Sequence, residues 1–216
     1  MGDSYDVSDT LPIDEVAAGT NLMIGGPPLT GKRDLARSLV EAGCRRGEGA
    51  LVITMREDAD RLLDKSPPLA DAVAEGRAGV VDCVTRERGE EVRDTRWVRY
   101  ASSPGDVTDI GIRSAGLFQA LDEGGVGRVR SGFVSIPTML MYTEPRRLFR
   151  FLHVYTGRIQ SADQLGFALI ELGDREAFDR FAPLFDGMVQ TRTNEDGERQ
   201  LRVVGVTSSP TEWVPY

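Results

Sequence analysis

Short apolar runs alternate along the chain with stretches whose apolar residues recur at helical spacing. The run TNLMIGG, Thr20 to Gly26, enters a glycine turn and reads as a strand. After it, Leu35, Leu39 and Val40 mark one helix face, with Ala36 and Ala42 as strong helix formers, and Gly47 and Gly49 close the helix. ALVITM, Ala50 to Met55, is the next buried strand. Residues 56–76 read as one or two short helices interrupted by Pro67 and Pro68. GVVDCV, Gly79 to Val84, is a third strand, and the charged stretch 85–96 is a loop. A capped helix follows over 102–125, closed by Gly124 and Gly125, then an apolar run over 131–142. Residues 144–159 form an amphipathic helix, 164–172 a strand, and 187–193 with 198–206 two alternating strands around the tight turn NEDG. Strands alternating with helices predict an α/β fold with a mostly parallel sheet covered on both faces and a C-terminal hairpin. Residues 1–12 read as a flexible acidic tail and 13–216 as a single domain.

Composition narrows the function. The 216 residues suffice for one sizeable core, and no apolar run approaches the roughly 20 residues of a membrane span. The polar, acidic start does not read as a secretory signal, and Asp6 stands where a myristoylation pattern needs a hydroxyl, so a cytoplasmic location is expected. Cys44 and Cys83 lie far apart and fit reduced, buried thiols. His153 is the only histidine, which argues against a histidine-based triad or metal site. The net charge is -8, and all but two of the 26 basic residues are arginine. This acidic, lysine-poor balance resembles proteins of salt-loving archaea; an arginine-rich codon bias gives the same pattern. One of the two lysines, Lys32, sits in the segment with the strongest chemical signal.

That segment is IGGPPLTGKRDLARSL, Ile24 to Leu39. It follows the phosphate-loop pattern G-x-x-x-x-G-K-[ST] up to its last position, with Gly26, Gly31 and Lys32 in place and Arg33 where a hydroxyl belongs. The candidate nucleotide-binding residues are Gly26, Pro27, Pro28, Leu29, Thr30, Gly31, Lys32, Arg33 and Asp34. Three readings stay open. The loop binds a nucleotide without a metal, Lys32 and Arg33 together supplying the positive charge that magnesium would give. Alternatively, Arg33 pairs with a neighbour such as Asp34 or Asp109 and plugs the pocket. In the third, the loop takes another anion or a partner's carboxylate.

The order of these motifs resembles the KaiC-like branch of the RecA superfamily of ATPases. The likeness runs from about residue 13 to 207 and includes the Gly47–Glu48 pair, SIPTMLMY, the helix beginning RRLFRF, and a closing hairpin entered through Asp186 and Gly187. The resemblance implies a RecA-like P-loop core, ATP or ADP as ligand, and self-association or pairing with a paralogous KaiC-like subunit. The departures fall on the chemistry. Arg33 offers no lone pair to Mg²⁺. Within the apolar run 132–140, the position where the resemblance expects a metal-binding Asp is Val134 or Ser135, depending on register. Arg56 takes the first position of a carboxylate pair, leaving Glu57 as a weak catalytic candidate, with Asp58 after it. Gly205 and Thr207 stand where a trans-acting Lys-x-Arg would be. These changes disfavour Mg²⁺ and lean against enzymatic activity. They point to a non-hydrolysing or weakly active regulatory or scaffold subunit. The alternatives are a slow ATPase using Glu57 or Asp58 with unusual metal ligands such as Thr30, and a DNA recombination or repair accessory protein.

Other features have plainer readings. Arg146, Arg147, Arg150 and Arg158 form the solvated face of a helix whose Leu148, Phe151 and Leu152 turn inward, or a docking face for an acidic partner. The acidic balance disfavours nucleic acid. Asp106 and Asp109 read as helix-start residues. Trp97 and Trp213 read as packing residues, Trp213 on a tail folded back onto the domain.

Overall fold

The computed structural model describes residues 4–216. A parallel sheet carries the architecture. Its strands are β3 (Asn21–Gly26), β4 (Gly49–Thr54), β5 (Ala78–Asp82), β6 (Val98–Tyr100), β7 (Val129–Ser135), β8 (Leu165–Glu171) and β9 (Gly187–Thr193). With β10 (Arg199–Val204) and β11 (Val214–Pro215), the order across the sheet is β11-β10-β9-β3-β8-β7-β4-β5-β6. Only β10 and β11 run antiparallel to their neighbours. β3 sits between β8 and β9 and is buried at all six positions, so its end opens between two flanking strands.

Helices cover both faces because the strand side chains alternate between two apolar layers. Leu22 and Ile24 face one layer with Leu35 and Leu39 of α1 (Lys32–Arg45), while Met23 faces the other. That second layer receives Ile110, Leu117 and Phe118 from α4 (Val107–Glu123) and Leu148, Phe151 and Leu152 from α6 (Pro145–Ser161). Two short helices, α2 (Ala59–Asp64) and α3 (Pro67–Ala74), cover Val52 and Val80. The serine ending β7 leads directly into α5 (Ile136–Leu140). A further helix, α7 (Arg175–Phe181), was not signalled by the sequence pattern.

The acidic-tail expectation for residues 1–12 is corrected for residues 4–12; residues 1–3 lie outside the described residues. β1 (Ser4–Asp6) pairs antiparallel with β2 (Glu15–Ala17), and Tyr5, Val7 and Leu11 are buried. The Tyr5 hydroxyl donates to the Asp163 carbonyl at 3.1 Å and accepts from the Val129 N–H at 3.2 Å. The Arg128 guanidinium lies 4.2 Å above its ring. The segment is acidic in composition, but its few apolar residues are its anchors.

Arg130 on β7 is fully buried and joins three distant parts of the chain. Its guanidinium donates to the Glu48 carboxylate at 2.5 Å, the Leu39 carbonyl at 2.8 Å and the Asp6 carbonyl at 2.6 Å. Gly43 makes room for it: a β-carbon there would stand 2.6 Å from Arg130 Cδ. A glycine inside α1 is thereby explained by close approach and not by helix propensity. Removing one partner of a buried pair strands the other charge, so Arg130→Ala should cost about 3–5 kcal/mol. Arg130→Met combined with Glu48→Gln removes both charges and should cost less. Urea unfolding of the two variants checks the order, and equal losses would contradict it.

Candidate functional site

The site grows from the junction of β3 and α1. Gly31 is the residue before the helix and has a φ of 78°, which turns the chain into α1. No side chain caps α1. By contrast, Asp58, Asp106 and Asp174 cap α2, α4 and α7 by accepting from the backbone N–H groups of Arg61, Asp109 and Ala177. The first N–H groups of α1 are thus left to face the cleft, where the helix dipole favours an anion.

Lys32 is buried, and its ammonium donates to the carbonyls of Gly26 at 2.7 Å and Pro27 at 2.6 Å. It also pairs with Glu171 at the end of β8, at 3.0 Å. Thr30 is turned into the loop: its hydroxyl donates to the Pro27 carbonyl at 2.9 Å and meets the Thr191 hydroxyl of β9 at 2.7 Å. Two contacts to the loop had no sequence signal. One is Thr191. The other is Tyr216, whose hydroxyl donates to the Thr30 carbonyl from the chain end. β11 brings that tail back, and Trp213 lies between Arg192 and Arg202, with guanidinium carbons 4.1 and 4.7 Å from its ring centroid.

Arg33 forms none of the plugging contacts considered from sequence. Asp34 pairs with Arg37 at 2.7 Å and Arg199 at 3.5 Å, and Asp109 pairs with Arg113 at 2.8 Å. Among the described residues Arg33 has no ion pair. It lines a hollow of about 370 Å³ together with Leu29, Lys32, Arg56, Ser135 and Glu171. Partial burial, and then the charge of Arg56, push the Arg33 pKa down, with Glu57, Glu171 and Asp34 acting in the opposite direction. Pro28 and Gly31 complete the loop, while Leu29 projects into solvent at 93% exposure.

The catalytic candidates are placed as follows. Glu57 lies near Arg33, but its carboxylate accepts from Lys65 at 2.6 Å. Asp58 accepts from the Arg61 N–H at 2.9 Å and from Arg88 at 3.1 Å. Ser135 ends β7 and lines the hollow, its hydroxyl 2.8 Å from that of Thr138. No carboxylate follows in α5. These residues do not fit the magnesium ion that a phosphate loop ordinarily holds: Arg33 is a cation, Ser135 offers only a hydroxyl, and the Thr30 hydroxyl is engaged inside the loop. Among the described residues, no three His, Cys, Asp or Glu side chains come together as a metal-holding group.

The remaining sequence candidates lie outside this cleft. The arginines of α6 are exposed, with Leu148, Phe151 and Leu152 buried behind them. His153 is on the α6 surface, stacked with Phe149 at 6.4 Å. Cys44 and Cys83 are free and buried; burial pushes the Cys44 thiol up to about 11 and also raises that of Cys83. No helix among the described residues is long and apolar enough to cross a membrane.

Residues 19–191 match a family described as "Family of unknown function (DUF7504)". The chain belongs to the DUF7504 family. No curated protein matches it. The DUF7504 chain is similar in structure to a KaiC-like protein from the hyperthermophilic archaeon Pyrococcus horikoshii, with a TM-score of 0.71 and 16% identity over 99% of this chain and 94% of that one. At that identity the likeness establishes the fold, an α/β RecA-like core of the KaiC-like kind.

Leu29 has a φ of 65°, in the left-handed region. That region costs a non-glycine residue roughly 1–2 kcal/mol, against about 0.5–1 kcal/mol of added chain entropy for glycine. The exposed side chain offers no packing to offset the strain. Leu29→Gly should therefore stabilise the fold by about 0.5–1 kcal/mol, raising the melting temperature by roughly 2 °C in calorimetry. A lower melting temperature would mean that Leu29 is held by a contact.

Proposed function

We propose that this chain is a P-loop protein that binds ATP or ADP at residues 26–34 without magnesium and without efficient turnover, as a regulatory or scaffold subunit. One observation carries the reading. Arg33 and Arg56 line the same cleft at the loop, and neither has an acidic partner among the described residues. The two guanidinium groups repel, and the nearby carboxylates that offset this at Arg33 are paired with other cations, Glu57 with Lys65, Glu171 with Lys32 and Asp34 with Arg37. A metal-free polyphosphate supplies the missing charge. The uncapped N–H groups of α1 receive one phosphate, and the guanidinium groups grip oxygens in the fork geometry that favours phosphate.

In this reading magnesium's role in neutralising the phosphates passes to arginine. Hydrolysis has little support. The nearby carboxylates Glu57 and Asp58 are tied to Lys65 and Arg88, so neither is free to orient a water. Occupancy would then be the signal. It could be communicated to a second copy or to a paralogous KaiC-like subunit, and the exposed Leu29, Met141 and Tyr142 give that partner an apolar contact. The proposed setting is the cytoplasm.

Calorimetric titration with ATP and ADP in high potassium salt tests this, run with magnesium and with a chelator, beside Lys32→Ala. Binding is expected to survive the chelator and to be lost in the variant. Binding that requires magnesium, or no binding in either buffer, would contradict the reading.

A further inference from the structure

Three adjoining hollows lie along the carboxyl edge of the parallel sheet. The first, of about 370 Å³, contains the loop. A small one of about 40 Å³ lies between α1 and α2, against Arg37 and Leu62. The third, of about 540 Å³, extends over the ends of β4 and β5 to Tyr142 and Met141. Arg56 lines all three, and among the described residues no other does.

Its neighbours in sequence do not neutralise it. Glu57 is bound to Lys65 and Asp58 to Arg88. Among the described residues the Arg56 guanidinium has neither a hydrogen bond nor an ion pair. It faces the loop cleft from the side opposite β9, with Ser135, Pro137 and Thr138 as shared walls. The cations of the loop serve a different part of the cleft. Lys32 is fixed against Gly26, Pro27 and Glu171, close to the helix start, and Arg199 is engaged with Asp34. A phosphate seated at the start of α1 therefore meets its uncapped N–H groups and Arg33, beside a Lys32 whose three donors are already engaged, and a longer phosphate chain extends toward Arg56.

We propose that Arg56 is a specificity residue that reads the terminal phosphate, so that the cleft selects a triphosphate over a diphosphate. This rests on the metal-free phosphate-binding reading above and names what that site distinguishes. A charge-assisted pair made only by the longer ligand contributes on the order of tenfold in affinity.

Titration calorimetry with inorganic tripolyphosphate and pyrophosphate, and with ATP and ADP, tests it in chelator on the full chain, on Arg56→Ala and on Arg56→Lys. The wild-type chain is expected to bind each triphosphate at least about tenfold more tightly than the matching diphosphate. Arg56→Ala should bring the two within about threefold, with the loss falling mainly on the triphosphate, and Arg56→Lys should keep part of the preference. Thermal melting of both variants confirms that the fold is intact. Equal affinities in the wild-type chain would overturn the inference while leaving the loop reading standing, as would a ratio unchanged in Arg56→Ala. Loss of both ligands alike in Arg56→Ala would also overturn it. Absence of all binding to the wild-type chain would remove the loop reading and this one with it.

Discussion

The Lys32 ammonium is enclosed by the carbonyls of Gly26 and Pro27 and by the Glu171 carboxylate, and this cluster joins the end of β3, the loop, α1 and β8 at one point. A buried cation must be paired or it destabilises the fold, so the contact fixes the loop as well as the charge. The other end of α1 is held by Arg130, which bonds the Leu39 carbonyl and fills the space left by Gly43. A helix tied at both ends keeps its N-terminus aimed into the cleft. The uncapped N–H groups there follow from where α1 is anchored.

Electrostatics shapes this cleft. Elsewhere the acidic residues are used: they cap helices, as Asp58, Asp106 and Asp174 do, or pair with arginines within reach. Asp82 is fully buried and accepts from the N–H groups of Ala59, Val84 and Thr85 and from the Thr85 hydroxyl, which secures the turn after β5. At the mouth of the loop Arg33 and Arg56 have no ion pair among the described residues, as is true of the exposed arginines of α6, but here the two line one cleft beside the uncapped start of α1. In the proposed account a phosphate chain supplies the counter-charge, and the arginines take the place of a metal that Arg33 and Ser135 are unsuited to hold.

The strand, loop, helix and strand around Gly26–Arg33 were legible because strand and helix periods are local properties of sequence. So was the parallel sheet, from the alternation of those elements. What was hidden is non-local. Arg130 and Glu48 are separated by 82 positions, Thr30 and Thr191 by 161, and Tyr216 reaches Thr30 across 186. No spacing rule anticipates such pairs. The segment 4–12 was misread for a related reason: β1 has three residues, and the segment is held by long-range contacts, Tyr5 against β7 and Asp163 and Arg130 at the Asp6 carbonyl, with Val7 and Leu11 buried. At the candidate site the sequence exposed the anomaly at Arg33 but not its resolution. Whether Arg33 plugged the loop depended on where Asp34 and Asp109 turn, and both turn to other arginines.

The central claim is that Arg33 does electrostatically what a metal does in a conventional loop. Arg33→Ser restores the hydroxyl of the pattern and removes the guanidinium without disturbing Lys32. Titration of ATP into this variant in chelator tests the claim most directly. The account predicts that affinity falls by at least about tenfold relative to the unaltered chain, the loss expected for a charge-assisted phosphate contact. Unchanged affinity in chelator would contradict it and leave Arg33 a bystander at the mouth of the loop.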